Sequence, residues 1–164
     1  MILVNQNNFL TYNKKHYKCS LGINGLNKTK IEGDKSTPVG IFSLGNLFVR
    51  TDRIKNLKTN FNYISIDKTM AWSDDSNSKD YNKLIKVTNS HKEIMYRNDH
   101  IYDLILVVNY NIHPIIPNKG SAIFLHISKD NYPPTQGCIA LNQDDFIEIL
   151  INLKPSDKIR INYN

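Results

Sequence analysis

One histidine and one cysteine stand twelve residues apart between two apolar segments. His126 lies near the end of an apolar run, and Cys138 follows Gly137 at the start of another. Cysteine catalysis needs a thiolate, and an imidazole within hydrogen-bonding reach can take the thiol proton and stabilise the ion pair. Gly137 would let the backbone turn sharply, leaving the amides of Gly137 and Cys138 free to face an oxyanion. The spacing indicates a cysteine nucleophile with a histidine base, and a buried thiol beside a satisfied core histidine is the alternative. A histidine beside the thiol predicts a lowered pKa for Cys138, and no such shift is expected for Cys19.

Length, composition and charge indicate what kind of protein carries this pair. The 164 residues predict a single domain, 1–164, large enough to bury a core, and 40% apolar and 22% charged residues are globular values. The formal charge of +6 would attract polyanions but does not choose among nucleic acid, anionic lipid and acidic wall polymer. Cys19 and Cys138 are the two cysteines, too few for a disulfide framework, and Cys19 in an alternating strand reads as a small core residue. No clustered Cys and His residues have the spacing of zinc ligands, so a structural zinc site is not expected.

The pattern along the chain predicts a mostly β fold with one or a few short helices. Apolar runs bounded by turn residues predict strands at residues 1–4, 9–12, 15–21, 39–44, 63–66, 104–109, 123–127 and 158–161. Polar, glycine-bearing or charged stretches predict loops at 21–38 and 73–82. One helix is expected after Asn142 as N-cap, with apolar residues at helical spacing up to Leu153 and a stop at Pro155.

Several motifs occur along this sequence in the same order as in a known protein family. After His126, residues 135–139 read TQGCI, and residues 30–42 read KIEGDKSTPVGIF. Further matching stretches are WSDD at 72–75, DYN at 80–82, His91, RNDHIYD at 97–103 and NYN at 109–111. The chain thereby resembles the YkuD-type L,D-transpeptidases, in a form similar to a compact, single-domain proteobacterial branch.

This resemblance implies a YkuD-like β-sandwich whose cysteine lies at the base of a groove. It implies that Cys138 attacks a carbonyl of a peptidoglycan stem peptide, that His126 moves the proton, and that a second stem amine takes the acyl group. The resemblance implies no metal and no organic cofactor. The chain departs from the family pattern in its shorter His-to-Cys gap and in Ala140, which replaces the usual Arg or Asn. The residue after the base is Ile127, so the carbonyl that orients the imidazole is left open.

Five further residues are candidates for substrate contacts. Arg97 and His100 could bind stem carboxylates, with structural pairs to Asp99 or Asp103 as the alternative. Trp72 stands in a polar stretch where a core role is disfavoured, so a lid or substrate contact is expected. Tyr110 could reach the same groove, and Thr135 belongs to the cysteine motif. The segment around Asp34 is interpreted as architectural, with Asp34 hydrogen-bonding the turn.

Other functions stay open at this point. The same site could pass the acyl group to water, as an L,D-carboxypeptidase or amidase. A non-catalytic binder of wall polymer or nucleic acid would need an inert Cys138, and no nucleic-acid motif supports it. We therefore expect peptidoglycan stems as partner, no nucleic acid, and a monomer, although nothing fixes the oligomeric state.

The expected place of action is the periplasm or cell envelope, because the implied substrate lies there. The first residues lack the basic and apolar regions of a secretory signal, so export would need another route or a leader outside this sequence. The run 104–108 is too short to span a bilayer.

Overall fold

Strands dominate the structure, a computed structural model that describes residues 1–87 and 91–164. The regular elements in these residues are β1 (Ile2–Asn5), β2 (Phe9–Tyr12), β3 (Lys15–Ser20), β4 (Leu26–Asn27), β5 (Thr37–Pro38), β6 (Gly40–Val49), β7 (Tyr63–Ser65), β8 (Met70–Ser73), β9 (Leu84–Lys86), β10 (Lys92–Ile94), β11 (Leu104–Val108), β12 (Phe124–Ile127), β13 (Ile139–Leu141), α1 (Gln143–Asn152) and β14 (Lys158–Asn162). The prediction of a mostly β fold with minor helix is confirmed.

The main sheet closes on itself through its longest strand. The strands run in the order β11–β12–β13–β3–β2–β1–β14–β6, and β6 also pairs with β11. This closure is possible because β6 uses its first residues, Gly40 to Ser43, for β14 and its later ones, Leu44 to Val49, for β11. The ring has an inner face, filled by the main core, and an outer face, part of which carries the candidate site.

The inner core fills the ring and includes one face of α1. Alternate residues of the ring strands point inward, as period-two burial requires; Val4, Cys19 and Leu125 are examples. Helix α1 adds Phe146, Ile149 and Leu150. Its predicted start is confirmed: the Asn142 side chain accepts from the amide of Asp144 at 2.9 Å.

A second apolar cluster lies on the outer face of β6, β11 and β12. It contains Phe48, Ile105 and Phe124, and it is covered by a small sheet in the order β10–β8–β9. That small sheet was not predicted, because its strands are only three or four residues long and lie among polar residues. In this cluster lies Cys138, whereas Cys19 lies in the inner core.

No helix among residues 1–87 and 91–164 is long and apolar enough to cross a bilayer.

Candidate active site

The paired strands β12 and β13 bring His126 and Cys138 to the same side of the sheet. In this parallel pair His126 lies opposite Ala140, and Cys138 precedes Ala140 by two residues. Because side chains alternate along a strand, Cys138 and Ala140 point to the same face as His126. Both His126 and Cys138 line one cleft. The predicted juxtaposition is therefore what the fold produces.

The imidazole of His126 is oriented by the chain itself. Its Nδ1 lies 2.8 Å from the carbonyl oxygen of Ile127. A carbonyl oxygen can only accept, so Nδ1 carries the proton and Nε2 is the basic nitrogen. The ring of Tyr102 packs edge-on against the imidazole, with centroids 5.3 Å apart. The carbonyl that the sequence left unassigned is thus that of Ile127.

The thiol of Cys138 is buried at the base of the cleft. Its Sγ donates to the carbonyl oxygen of Ala122 at 3.2 Å. Ala122 has a φ of +52° and its amide donates to Oδ1 of Asn82 at 3.0 Å. The same Oδ1 accepts from Nε1 of Trp72 at 2.9 Å. Trp72 and Asn82 therefore hold in place the carbonyl that accepts the hydrogen bond from the thiol.

Burial keeps both members of the pair neutral at rest. Desolvation raises the pKa of Cys138 to about 12 and lowers the pKa of His126 to about 4. The expectation that proximity to His126 lowers the thiol pKa is therefore wrong for the resting site, because loss of hydration outweighs the partner.

Gly137 has the conformation that the sequence predicted but not the free amide. Its φ is +134°, and a Cβ at this position would lie 2.7 Å from the carbonyl oxygen of Ser36. Its amide donates to Oγ1 of Thr135 at 3.1 Å, and that hydroxyl donates to the carbonyl oxygen of Cys138 at 2.6 Å. The Gly137 amide is thus already used within the loop. Among residues 1–87 and 91–164, the Cys138 amide has no hydrogen-bond acceptor, so it remains a donor for an oxyanion.

The segment containing Asp34 braces this loop from the other side. Thr37 donates from Oγ1 to the carbonyl oxygen of Gly137 at 2.9 Å. Burial opposes ionisation of Asp34, but hydrogen bonds from Lys30 and Ser36 hold the pKa of its carboxyl well below the ordinary value. The architectural interpretation of Asp34 is confirmed by its bonds to the Ser36 amide at 2.9 Å and the Ile31 amide at 3.1 Å.

The cleft above the cysteine has a volume of about 540 Å³ and a wall of mixed charge. Its charged lining residues are Lys30, Lys35, Arg97, Lys129, Glu32, Asp74 and Glu93. Desolvation raises the pKa of Glu93 and of Asp74. A zwitterionic or mixed-charge ligand fits such a wall.

Two of the five predicted substrate residues line the cleft. Thr135 does so next to the nucleophile, and Arg97 does so while it binds Asp99 with two hydrogen bonds of 2.8 Å. Arg97 also lies over the ring of Tyr102, 5.2 Å from its centroid. A place in the cleft and an ion pair with Asp99 are the two alternatives that the sequence leaves open for Arg97. In the structure Arg97 has both.

The other three lie outside the cleft lining that residues 1–87 and 91–164 define. His100 is largely exposed, and its Nδ1 contacts Asp103 at 2.8 Å, which is the structural alternative. Tyr110 donates to the carbonyl oxygen of Lys119. Trp72 is buried and packs edge-on against Phe124, so the argument against a core role was wrong. The next residue, Ser73, is buried as well, and Asp74 lines the cleft, so the polar sequence around Trp72 does not mark an exposed segment.

Lys30 and Tyr102 are cleft residues that the sequence reasoning did not single out. Both lay inside quoted motifs, but only their place in the fold separates them from their neighbours. Among the described residues, no group of three or more His, Cys, Asp or Glu is arranged to hold a metal ion.

Comparison with known proteins agrees with this fold. The family model of the YkuD L,D-transpeptidase catalytic domain matches residues 1–161. The chain therefore belongs to the YkuD L,D-transpeptidase catalytic domain family. No curated protein sequence matches it significantly.

Two solved structures are similar to the chain. Bd1075 of Bdellovibrio bacteriovorus is 16% identical with a TM-score of 0.51, and the match covers 100% of this chain and 48% of that one. The helical cell shape determining protein Pgp2 from Campylobacter jejuni is 17% identical with a TM-score of 0.46, and the match covers 98% and 46% of the two chains. The chain thus spans about half the length of these proteins. At this identity, the likeness to Bd1075 concerns the fold.

Proposed function

We propose that the protein is an L,D-transpeptidase that acts on peptidoglycan stem peptides through a thioester at Cys138. The observation that carries the proposal is the pairing of Cys138 with His126 in one cleft, with the imidazole fixed by Ile127. Family membership supplies the reaction class. The whole chain, 1–164, acts as one catalytic domain in this proposal.

In the first half-reaction Sγ of Cys138 attacks a peptide carbonyl carbon of the donor stem. The thiol proton moves to Nε2 of His126 as the C–S bond forms, because neither group is charged beforehand. The carbonyl electron pair moves to oxygen, and on collapse the C–N bond breaks. His126 then gives its proton to the leaving amine.

In the second half-reaction an amine of another stem attacks the thioester carbonyl carbon and gives a proton to His126. The C–S bond then breaks, the new amide is released, and His126 returns the proton to Sγ of Cys138. The mixed charge of the cleft suits stems that carry both carboxylates and an amine. Arg97 is proposed to bind a donor carboxylate, and Thr135 to hold the loop beneath the acyl group. His100, Trp72 and Tyr110 are assigned no substrate contact.

Peptidoglycan as substrate places the action of the protein in the cell envelope, and no nucleic-acid role is proposed. We expect the catalytic unit to work as a monomer, because one chain supplies both members of the pair.

Incubation with purified muropeptides of defined stem length tests this function, read by mass and linkage of the products. Cross-linked dimers support transfer. Shortened stems without dimers mean that water takes the acyl group, as in a carboxypeptidase, and unchanged muropeptides contradict both. Cys138→Ala is the control for a contaminating activity.

A further inference from the structure

We propose that Lys30 is a catalytic residue whose ammonium stabilises the oxyanion beside Cys138, a role that takes the place of the Gly137 amide. This inference rests on the acyl transfer proposed above. It adds a residue to the site that neither the family match nor the motif spacing assigns.

Lys30 lies buried against the loop that carries the nucleophile. Only 4% of its side chain is exposed, and it is a lining residue of the cleft. A Cβ on Gly137 would lie 3.5 Å from Nζ of Lys30, and a Cβ on Gly120 would lie 2.9 Å from its Cε. The lysine therefore passes between two glycines, and its ammonium ends next to the residue that precedes Cys138.

Asp34 holds this ammonium but leaves part of it unused. Nζ of Lys30 contacts Oδ1 of Asp34 at 2.6 Å. Within the described part of the chain, this carboxylate is the one hydrogen-bond partner of Nζ. An ammonium has three donors, so two are available to a ligand in the cleft. Buried donors without partners are costly, and an acceptor that appears during the reaction relieves that cost.

The loop that carries Cys138 offers few hydrogen-bond donors of its own to an oxyanion. Attack by sulfur puts the carbonyl electron pair on oxygen, and preorganised donors at that oxygen provide much of the rate. The Gly137 amide is taken by Thr135, which leaves the Cys138 amide. Ala140 offers no polar group at the position where the resemblance leads one to expect Arg or Asn.

The remaining cations of the cleft are less suited to this task. Arg97 has a bidentate partner in Asp99, and Lys35 and Lys129 are exposed. Charges in water are screened, whereas a buried charge acts at close range with little screening. Lys28 belongs to the same segment but is exposed and lies outside the cleft lining that residues 1–87 and 91–164 define, so it serves as the matched control.

The test compares the wild-type protein with Lys30→Met, Lys30→Arg and Lys28→Met in two reactions. One is the single-turnover rate of acyl-enzyme formation with a defined stem peptide, followed by intact mass. The other is alkylation of Cys138 by iodoacetamide across pH, which uses the same sulfur but forms no oxyanion. Thermal melting checks that each variant is folded.

We expect Lys30→Met to slow acylation about a hundredfold, the order found when one oxyanion donor is removed. Alkylation should stay within about threefold of wild type, Lys30→Arg should recover part of the acylation rate, and Lys28→Met should match wild type within about twofold. If Lys30→Met does not fold, the comparison rests on Lys30→Arg, which must keep alkylation while acylating more slowly than wild type.

Three results overturn the inference. Acylation at the wild-type rate in a folded Lys30→Met protein removes Lys30 from the mechanism. A parallel loss of alkylation places its effect on the thiol rather than on the oxyanion. A loss that Lys30→Arg does not recover at all indicates packing. Failure of the wild type itself to form an acyl-enzyme contradicts the proposed function instead, and the inference falls with it.

Discussion

Cys19 and Cys138 lie on opposite faces of adjacent parts of one sheet. In the β13–β3 pair Cys19 is opposite Leu141, and both point into the inner core. Cys138, three residues before Leu141, points outward into the cleft cluster. Burial raises the pKa of both thiols to about 12. The resting acidity of the thiol therefore does not distinguish the structural cysteine from the candidate nucleophile.

The difference lies in the groups that surround each sulfur. Cys19 lies in the inner core among apolar residues. Cys138 has a carbonyl acceptor at Ala122, and it lines a cleft together with the imidazole of His126 and the ammonium of Lys30. In this account Cys138 is held as a neutral thiol, and it is activated only when bound substrate is attacked and the thiol proton passes to His126.

The strongest test of this contrast is alanine at each cysteine. Cys138→Ala should reduce turnover of muropeptides below about one thousandth of wild type, since the nucleophile is lost. Cys19→Ala should keep turnover and lower the free energy of unfolding by about 1 kcal/mol, as a small core truncation does. Steady-state kinetics and chemical denaturation measure both. Substantial turnover in folded Cys138→Ala would make the site assignment wrong.

The base should have the next largest effect. His126→Gln removes the proton acceptor while it keeps a similar side-chain volume, and general base catalysis contributes about 10²- to 10⁴-fold. We expect a loss of that size in acylation by the stem peptide, with Cys138 still present and the protein folded by circular dichroism. Activity within twofold of wild type would mean that another group takes the proton.

Substitutions of Arg97 and His100 compare a residue that lines the cleft with one that lies outside it. Arg97→Ala removes a charge-assisted contact, worth about 1.5–3 kcal/mol, and should lower the efficiency on one muropeptide about ten- to a hundredfold. Arg97→Lys should recover only part, because lysine cannot bind a carboxylate bidentately. His100→Ala should change efficiency less than twofold. Equal losses in Arg97→Ala and His100→Ala would point to a shared structural role.

The smallest expected effect is on the pH dependence of the free energy of unfolding. The pKa of His126 falls from 6.5 in the unfolded chain to about 4 in the folded one. The unfolded state thus binds the proton first, so stability from this group is complete above pH 6.5 and lost as the pH falls towards 4. Wild type should lose about 2 kcal/mol more between pH 7 and 4.5 than His126→Gln does. Denaturant titrations at both pH values check this, and parallel losses would contradict the buried neutral imidazole.

Much of the fold was readable from local pattern. Strand β2 and the N-cap of α1 were predicted as found, because alternation and capping are local signals. Strand β6 was predicted to stop at Leu44 but continues to Val49, since its second half is stabilised by pairing with β11. The small sheet β10–β8–β9 was missed for the same reason: it is stabilised by covering the outer cluster rather than by its own sequence.

The candidate site also has one part that the sequence predicted and another that it did not. Motif spacing identified Cys138 and His126, and the parallel register of β12 and β13 brings them together. The orienting carbonyl of Ile127 is a backbone atom, which residue types do not reveal. The burial of Trp72 and the path of Lys30 between two glycines depend on long-range packing, so composition around them could not predict either.

One measurement addresses the central claim, that Cys138 and not Cys19 carries the acyl group. The wild-type protein is incubated with a defined stem peptide, quenched in acid, and examined by intact mass and peptide mapping. The account predicts one acyl adduct, on the peptide that contains Cys138, which disappears on addition of an acceptor amine and is absent in His126→Gln at early times. An adduct on Cys19, or turnover with no adduct at either cysteine under acid quench, would contradict it.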